Sequence, residues 1–266
     1  MLSLRQVARL RTDDGARLPH VWSAWTQAKI FLRRGQLHLM VAAPGGFKST
    51  VATNYAIWSG AATLYISMDT DRNTVATRVI ACATHTELDV AEEGYAAREP
   101  WAMAALGSVP WLTYSFPSGP SARELGEHVS AYAEAEGQYP ELVVVDNLGN
   151  IAGVGMDHEE ADRVMGELQT MASKTNAAVW VLHHALGGFD DGHEVIPLSG
   201  VKNKVTKTSS LVLTLARGAG EGQLWTSVVK NRHGPVDPTG RNVRAELRVF
   251  GSKNLVLDPH VLEVAG

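Results

Sequence analysis

The sequence predicts an α/β protein with a mainly parallel central sheet flanked by helices, and with antiparallel strands added at the C-terminal end. Short apolar runs of strand length alternate with segments of helical pattern along most of the chain. Runs such as LVVVD and AVWVLHH are apolar almost throughout, which indicates strands buried on both faces. Strands that alternate with helices in this way favour a parallel sheet with right-handed crossovers.

The strands are predicted from their apolar and β-branched content, at residues 37–43, 62–69, 142–146, 177–184, 209–216 and 224–230. Helices are predicted between them, over residues 49–59, 74–84, 121–136 and 158–174. From residue 209 onward no segment has a convincing helical pattern, and turns are predicted at 218–222, 233–240 and 251–254. Successive strands with short turns pair antiparallel, so the C-terminal third should extend the sheet in that sense.

The composition is that of a globular chain: 266 residues, of which 45% are hydrophobic and 20% are charged. No apolar run approaches the roughly 18–20 residues of a membrane span, and the N-terminal segment lacks the apolar region of a secretion signal. The single cysteine, Cys82, excludes a disulfide framework and is typical of a reducing compartment. We expect a cytoplasmic protein with an N-terminal arm over residues 1–20 and one domain over residues 21–266.

The charge is unevenly distributed. The formal net charge of −4 argues against a nucleic-acid partner, but residues 201–253 contain ten Lys and Arg against three acidic residues. Such an asymmetry indicates a surface for a polyanion on an otherwise acidic protein. A solvated basic end of the sheet is an equal alternative on charge alone.

Residues 37–60 are the most informative about function, because an apolar strand, a Pro-Gly-Gly loop, Lys-Ser-Thr and a helix follow one another there. Phosphate binding needs converging backbone N–H groups, a helix N-terminus, a lysine and a hydroxyl for Mg²⁺. The strict pattern GxxxxGK(S/T) fails, since Ala42 and Phe47 replace its glycines. A plain strand–turn–helix therefore remains an alternative for the loop taken alone. The candidate nucleotide-binding residues are Pro44, Gly45, Gly46, Phe47, Lys48, Ser49 and Thr50.

Two carboxylates end predicted strands. Asp146 ends LVVVD, where a nucleotide-binding fold needs a carboxylate near Mg²⁺, and Asp69 ends YISMD. The carboxyl ends of parallel strands line the ligand crevice, so Asp69 is suited to orient the water that attacks the γ-phosphate. A turn cap for Asp146 and a helix cap for Asp69 are the structural alternatives. With the loop, the two carboxylates predict a site for ATP and Mg²⁺ in which Ser49 and Asp146 are the metal ligands.

These motifs, in this order, resemble the RecA-like P-loop ATPase core of the DnaB-like replicative helicase group and its phage-type members, which neighbours the RecA/RadA-like recombinases. The resemblance covers roughly residues 24–258. It implies a RecA-like ATPase domain in which Asp69 stands for the catalytic glutamate and Asp146 belongs to the Walker B strand. It also places His184 at the polar sensor of the γ-phosphate. Asp69 is one methylene shorter than the glutamate of the group.

The segment SVVKNRHGP resembles the strand and turn whose lysine and arginine reach the nucleotide of a neighbouring subunit. The resemblance thus implies catalytic roles in trans for Lys230 and Arg232. It implies a homo-oligomer, a ring or a filament, with active sites between subunits. Ordinary basic residues near a turn are the alternative interpretation.

The resemblance further implies that the loops at residues 149–159 and 187–207 face a central channel that holds DNA. The second loop carries Lys202, Lys204 and Lys207 among Ser, Asn and Thr residues, a composition suited to contacts with a phosphate backbone. A solvated basic loop is the alternative.

The segment HHALGGFDDGHE offers a competing interpretation. Mixed His and Asp ligands suit Mn²⁺, Mg²⁺ or Zn²⁺, and two-metal sites of this kind cut phosphodiesters. The spacing matches no metal motif, so we favour His184 as sensor and a packing role for His183. The candidate ligands of such a site are His183, His184, Asp190, Asp191 and His193.

The function expected from the sequence is an ATP-dependent DNA motor, a helicase or translocase that acts on single-stranded or branched DNA. The alternatives are a recombination-mediator ATPase of the RecA/RadA-like kind, a metal-dependent structure-specific DNA nuclease on the same fold, and a nucleotide-gated DNA-binding scaffold. The scaffold is favoured if the loop with Phe47 binds ATP without turning it over.

Overall fold

The central sheet is defined in the computed structural model, which describes residues 13, 15–154, 158–189, 191–202 and 205–259. Nine strands of this part form one sheet in the order β3-β2-β4-β5-β1-β6-β7-β8-β9. The strands are β1 (Leu37–Ala42), β2 (Thr63–Ser67), β3 (Leu112–Ser115), β4 (Leu142–Asp146), β5 (Ala178–His184), β6 (Leu211–Arg217), β7 (Gln223–Asn231), β8 (Arg244–Phe250) and β9 (Leu255–Leu257).

The strands β1 to β6 are mutually parallel, and β7, β8 and β9 are added antiparallel beyond β6. The predicted fold class is confirmed. The change of direction comes one strand later than expected, because the run predicted from residue 209 pairs parallel with β1. The predicted turns at 218–222 and 233–240 then join the antiparallel strands on either side of β7.

Helices connect the parallel strands, as the alternation in the sequence predicts. They are α1 (Ser23–Gln27), α2 (Lys48–Ser59), α3 (Arg72–Thr84), α4 (Leu88–Ala96), α5 (Pro100–Gly107), α6 (Ala122–Glu136) and α7 (His158–Thr175). The N-terminus of α6 is fixed by a reciprocal pair of hydrogen bonds between Ser121 and Glu124, a device worth about 1 kcal/mol.

Both faces of the sheet are covered. Alternate strand residues such as Val143 and Val145 pack with Leu125 of α6 and Leu168 of α7 in one core cluster. Val144, between them, belongs to a second cluster on the opposite face, with helices α1 and α2. This arrangement explains why the strand sequences are apolar at consecutive positions, and it holds the carboxyl ends of the strands in fixed relative positions.

The second cluster is rich in aromatic residues. Trp25 of α1, Tyr55 of α2 and Trp180 of β5 contact one another with ring centroids 5.5–6.0 Å apart. Part of the predicted arm also packs here, since the Tyr55 hydroxyl donates to the Pro19 carbonyl at 2.7 Å and Leu18 is buried. Residues 1–12 and 14 of that arm lie outside the described part of the chain.

Candidate nucleotide site

The candidate site residues come together at one edge of the sheet, where the parallel strands end. β1 runs directly into the Pro-Gly-Gly loop, and Asp146 and His184 are the last residues of β4 and β5. The strand register places His184 opposite Ala42 and Asp146 opposite Ser67. Residues separated by about a hundred positions in sequence thereby become neighbours, as expected for the ligand edge of a parallel sheet.

The loop after β1 is a tight turn that leads into α2. The Gly46 N–H donates to the Ala43 carbonyl at 3.0 Å, and Gly45 adopts a left-handed conformation with φ 67°. A Cβ atom at Gly46 would lie 2.8 Å from the Ala42 Cβ, so the close approach requires glycine. Helix α2 then begins at Lys48, with its N-terminus at the loop.

Phe47 stands where the strict loop pattern has glycine, and it keeps the backbone conformation of a glycine. Its φ is 64°, in the left-handed region, which costs a residue with a Cβ about 1 kcal/mol. The half-buried ring lies beside Gly251 and faces the guanidinium group of Arg217, 5.0 Å from the ring centroid. The sequence motif departs from the pattern, whereas the loop conformation stays compatible with it.

Lys48 is buried, and its ammonium group is directed back onto the loop. Nζ donates to the carbonyls of Ala42 at 3.2 Å and Ala43 at 2.9 Å, and it lies 3.5 Å from Nδ1 of His184. Burial lowers the pKa of Lys48 to about 8, against the opposing effect of the charges on Asp146 and Asp69. The lysine is therefore placed at the centre of the edge, between the loop and the end of β5.

Asp146 is buried beside α2 and is fixed by two hydroxyl groups. The Tyr65 hydroxyl donates to its Oδ2 at 2.7 Å, and Ser49 also hydrogen-bonds this carboxylate. Burial raises the pKa of Asp146, and the bonds from Ser49 and Tyr65 oppose that rise. Tyr65 is itself held by ring stacking on Tyr114 at 4.8 Å.

Asp69 is exposed two residues beyond the end of β2. Its Oδ2 accepts a hydrogen bond from the Asn147 side chain at 3.0 Å, which ties it to the residue that follows Asp146. The N-cap of α3 is Asp71, whose carboxylate accepts from the N–H groups of Asn73 and Thr74. The helix-cap alternative for Asp69 is therefore not realised.

The two histidines at the end of β5 face different groups. His184 lies beside Lys48, while the buried ring of His183 donates from Nε2 to the carbonyl of Lys202 at 3.1 Å. Burial lowers the pKa of His183 to about 4, so its ring is neutral at pH 7. In the described residues no three His, Cys, Asp or Glu side chains could hold a metal ion together, and Asp190 lies outside them.

The basic loop that follows β5 is anchored to the core. Ala185 and Val201 form an antiparallel bridge, and Val201 and Val205 are buried. Lys202 and Lys207 are exposed, and Lys207 pairs with Asp162 of α7 at 3.0 Å. Lys204 and residues 155–157 of the other predicted channel loop lie outside the described residues.

Lys230 and Arg232 contact this basic loop within the same chain. The Lys230 Nζ donates to the carbonyls of Thr206 at 2.5 Å and Lys207 at 2.8 Å, and burial lowers its pKa. Arg232 is exposed and donates a longer bond of 3.4 Å to the Lys207 carbonyl. The catalytic roles predicted for Lys230 and Arg232 involve the nucleotide of a second subunit. The contacts within one chain do not test these roles, which stay predictions.

Three contributors to the site were missed by sequence reasoning: Tyr65, Asn147 and Arg217. Tyr65 lies inside an apolar strand, where an aromatic residue indicates only core packing. Asn147 directly follows Asp146, and its adjacency to a predicted site residue was the one available indication. Arg217 belongs to the basic stretch, but its contact with a loop 172 residues earlier required the sheet order.

The residues at this edge fit a nucleotide with Mg²⁺. Ser49 and Asp146 are hydrogen-bonded neighbours that supply a hydroxyl and a carboxylate, the hard oxygen donors that Mg²⁺ prefers. Lys48 and the N-terminus of α2 provide the positive charge that a phosphate group requires. In the described part of the chain no helix is long and apolar enough to cross a membrane.

The sequence is similar to a known family and to phage proteins. Residues 11–186, about two thirds of the chain, match the family described as AAA domain. The Gene 65 protein of Mycobacterium phage L5 is 34% identical over 267 residues, which cover 97% of this chain and 99% of that protein. The Gene 65 protein of Mycobacterium phage D29 is 32% identical over 216 residues, covering 78% and 93%. The family match includes the loop, Asp69 and Asp146, and the expectation of an ATPase is confirmed.

Solved structures show the same fold at low identity. One of them, described as an ATPase domain, has a TM-score of 0.77 and 14% identity, with 96% of this chain and 95% of that domain covered. A DnaB-like replicative helicase, solved to study its interactions with primase, has a TM-score of 0.75 and 15% identity. That match covers 91% of this chain, but the chain spans only 62% of the length of the helicase. The RecA-like fold of DnaB-like ATPase domains is thereby confirmed.

Proposed function

We propose that this chain, which belongs to the AAA domain family, is an ATP-driven motor that moves along DNA as a helicase or translocase. The observation that carries the proposal is the pair of histidines at the end of β5. His184 lies beside Lys48, and His183 holds the backbone of the basic loop at Lys202. A displacement of His184 on nucleotide binding or hydrolysis would therefore be passed to the basic loop through His183, its neighbour at the end of β5.

In this proposal residues 44–50 bind the triphosphate. Lys48 exchanges the carbonyls of Ala42 and Ala43 for the β and γ oxygens of ATP, which offer a full negative charge instead of a dipole. The backbone of Pro44, Gly45, Gly46, Phe47 and Thr50 surrounds the phosphates at the N-terminus of α2.

Ser49 and Asp146 would hold Mg²⁺ at the same site. When bound there, the ion would supply positive charge that neutralises the phosphate groups. Tyr65 keeps Oδ2 of Asp146 in place, so the orientation of the carboxylate is set before the nucleotide arrives. The buried position keeps competing water away from this carboxylate.

Asp69 is the residue that would orient the attacking water. It is exposed at the edge, and both of its oxygens are oriented by hydrogen bonds, Oδ2 by the Asn147 side chain at 3.0 Å and Oδ1 by the Thr70 hydroxyl at 3.3 Å. Because aspartate is one methylene shorter than glutamate, these bonds compensate in part by fixing the position of a side chain with less reach.

The DNA contacts proposed here are non-specific. Lys202 and Lys207 are exposed on the loop that His183 holds, and Lys204 lies between them in sequence. Lysines among small polar residues neutralise phosphates without reading bases, which suits a motor that moves along any sequence. Loss of the γ-phosphate contact at His184 would shift the end of β5 and with it these lysines.

Lys230 and Arg232 are proposed to act on the nucleotide of a neighbouring subunit in a ring or filament. Such a role needs both side chains to leave their contacts with the carbonyls of the basic loop. A cation supplied by a neighbour stabilises the charge of the transition state, typically by a factor of about 10³–10⁵ in rate.

The phage relatives support a place of action in the host cell, for which we propose the cytoplasm. Single-stranded or branched DNA is the proposed substrate, in keeping with the likeness to a DnaB-like replicative helicase. The test is ATP hydrolysis with and without single-stranded DNA, together with strand displacement on a forked duplex. We expect stimulation of hydrolysis by DNA and displacement that requires ATP. The Lys48→Ala variant is the control that should lack both activities. A rate of ATP hydrolysis that DNA does not change, together with no strand displacement on any forked duplex, would contradict the proposed motor function.

A further inference from the structure

The phosphate-binding loop is contacted from outside by a residue that belongs to none of the sequence motifs. Arg217 is the last residue of β6, the strand next to β1 in the sheet. Its guanidinium group stacks over the Phe47 ring at 5.0 Å, and its Nη2 donates to the Gly45 carbonyl at 3.0 Å. A single side chain thus contacts the loop on both sides of Gly46.

Arg217 contacts the phosphate-binding loop at the residue whose backbone conformation is least favourable. Phe47 holds a left-handed backbone conformation that residues with a Cβ avoid, and it is the N-cap of α2, directly before Lys48. If Phe47 relaxed to an ordinary conformation, the peptide groups before Lys48 would change direction, because the helix fixes everything that follows. The ring sits between Gly251 and Arg217, so stacking opposes that relaxation.

Arg217 is itself well positioned. Its backbone N–H donates to the Gly192 carbonyl at 2.7 Å, and Gly192 lies against Ala43 at the start of the loop. The preceding residues of β6 are buried, and those at 211–214 pair with β1. The guanidinium group therefore extends from a rigid base, although it is exposed.

We propose that Arg217 is a positioning residue for nucleotide binding. By stacking on Phe47 and bonding Gly45, it keeps the loop in the conformation that binds phosphates, and it makes up for the glycine missing at position 47. This role needs no contact between Arg217 and the nucleotide. The inference rests on the proposed nucleotide site but is independent of DNA and of any neighbouring subunit.

The test is a double-mutant cycle on the full chain, with a fluorescent ATP analogue and Mg²⁺ and without DNA. Arg217→Ala should weaken binding roughly three- to tenfold, because fewer molecules keep a binding-competent loop. Phe47→Gly is the second background of the cycle, because glycine adopts the left-handed conformation without strain, and its own affinity is the reference there. The Phe47→Gly/Arg217→Ala variant should then bind as Phe47→Gly does.

An equal loss from Arg217→Ala in both backgrounds would show that the arginine acts on the nucleotide independently of Phe47, and it would overturn the proposal. No loss in either background would overturn it as well. Arg241→Ala removes a charge at another exposed position and should leave binding unchanged. Melting temperatures check that the variants fold. If Arg217→Ala is unstable, Arg217→Lys replaces it in the cycle. Lysine keeps the charge but lacks the planar stack, so Arg217→Lys should lose about as much affinity as is expected for Arg217→Ala.

Lys48→Ala separates this inference from the site itself. If Lys48→Ala binds the analogue as tightly as the wild type, the loop is not the nucleotide site and the proposed function fails with it. If Lys48→Ala loses binding while Arg217→Ala does not, only the role of Arg217 is overturned.

Discussion

Two regions of the molecule use hydrogen bonds differently: one at the nucleotide edge, and one around Lys230, which pairs with Val212 near the start of β6. The inner region is a network around the buried carboxylate of Asp146, to which the hydroxyl groups of Ser49 and Tyr65 are hydrogen-bonded. All of these bonds lie within one chain. In the outer region, Lys207 and Lys230 are engaged by Asp162 and by loop carbonyls, which are groups of the same chain. The inner region is complete in one chain, whereas the outer one would have to exchange its contacts to take up the roles proposed for it.

The largest effect is expected at Lys48, which adjoins the inner region through Ser49. Lys48→Ala removes the only cation among the described residues that contacts both loop carbonyls and the end of β5, and ATP turnover should fall by about 10³-fold or more. Steady-state phosphate release measures this, with a circular dichroism spectrum as the folding control. Undiminished turnover would rule out the loop as the phosphate site.

Loss of Arg232, next to the outer region, should lower ATP turnover, and a second variant with an intact Arg232 should restore part of it. Arg232→Ala is expected to lower turnover roughly 10²–10³-fold if it completes a neighbouring site. In a mixture with Lys48→Ala, some sites pair an intact Lys48 with an intact Arg232 from the neighbour, so part of the activity should return. A mixture without recovery at any ratio would place Arg232 outside the site.

Nucleotide binding should depend on pH through Lys48. Since burial lowers the pKa of Lys48 to about 8, the free protein loses this charge as pH rises through 8. Nucleotide affinity should be level below that pH and fall by up to about tenfold per unit above it. Titration calorimetry from about pH 7 to about pH 9.5 measures the profile, and Lys48→Arg, always charged, should flatten it. A level wild-type profile would be incompatible with this explanation.

Tyr65→Phe tests whether the inner network orients the carboxylate. Loss of the hydroxyl removes a bond to a buried acidic group, worth about 1.5–3 kcal/mol, so the Mg²⁺ concentration for half-maximal turnover should rise several-fold. Tyr114→Phe is the matched control, because Tyr114 stacks on Tyr65 and its hydroxyl lies beside Thr53. Equal Mg²⁺ requirements in the two variants would assign Tyr65 to packing alone.

The smallest effect belongs to the exposed lysines. Lys207→Gln breaks a surface ion pair worth less than about 1 kcal/mol, so the melting temperature should hardly move. The dependence of DNA affinity on salt should lose about one unit of slope, with only a few-fold loss of affinity at moderate salt. Fluorescence anisotropy at several salt concentrations measures it, and an unchanged slope would remove Lys207 from the DNA surface.

The parts predicted well from the sequence are those determined by neighbouring residues. The run LVVVD specified β4 to the residue, and the Pro-Gly-Gly loop with Lys48 located the start of α2. Helices α4 and α5 and strand β3 were not predicted. Gly94 lies within α4 because the Trp101 ring packs against it, and β3 has only four residues. Such features depend on tertiary contacts that local pattern does not contain.

At the candidate site, sequence reasoning named the charged residues and missed the groups that contact them. Lys48 and Asp146 were recognisable because phosphate and Mg²⁺ chemistry requires those residue types near strand ends. The bond from Tyr65 to Asp146 joins residues 81 positions apart, and the stacking of Arg217 on Phe47 depends on β6 lying beside β1. Both contacts follow from strand order, which a periodic pattern does not specify.

The bonds from Lys230 to the carbonyls of Thr206 and Lys207 have a consequence for how protein concentration acts. One ammonium group cannot hold these carbonyls and also reach across to a neighbouring subunit. In the proposed oligomer, assembly and release of the basic loop are thus linked equilibria, and each shifts the other by the same free energy. In that proposed oligomer, a higher protein concentration would favour assembly and the released loop, so the proposed DNA affinity would rise with the abundance of the protein.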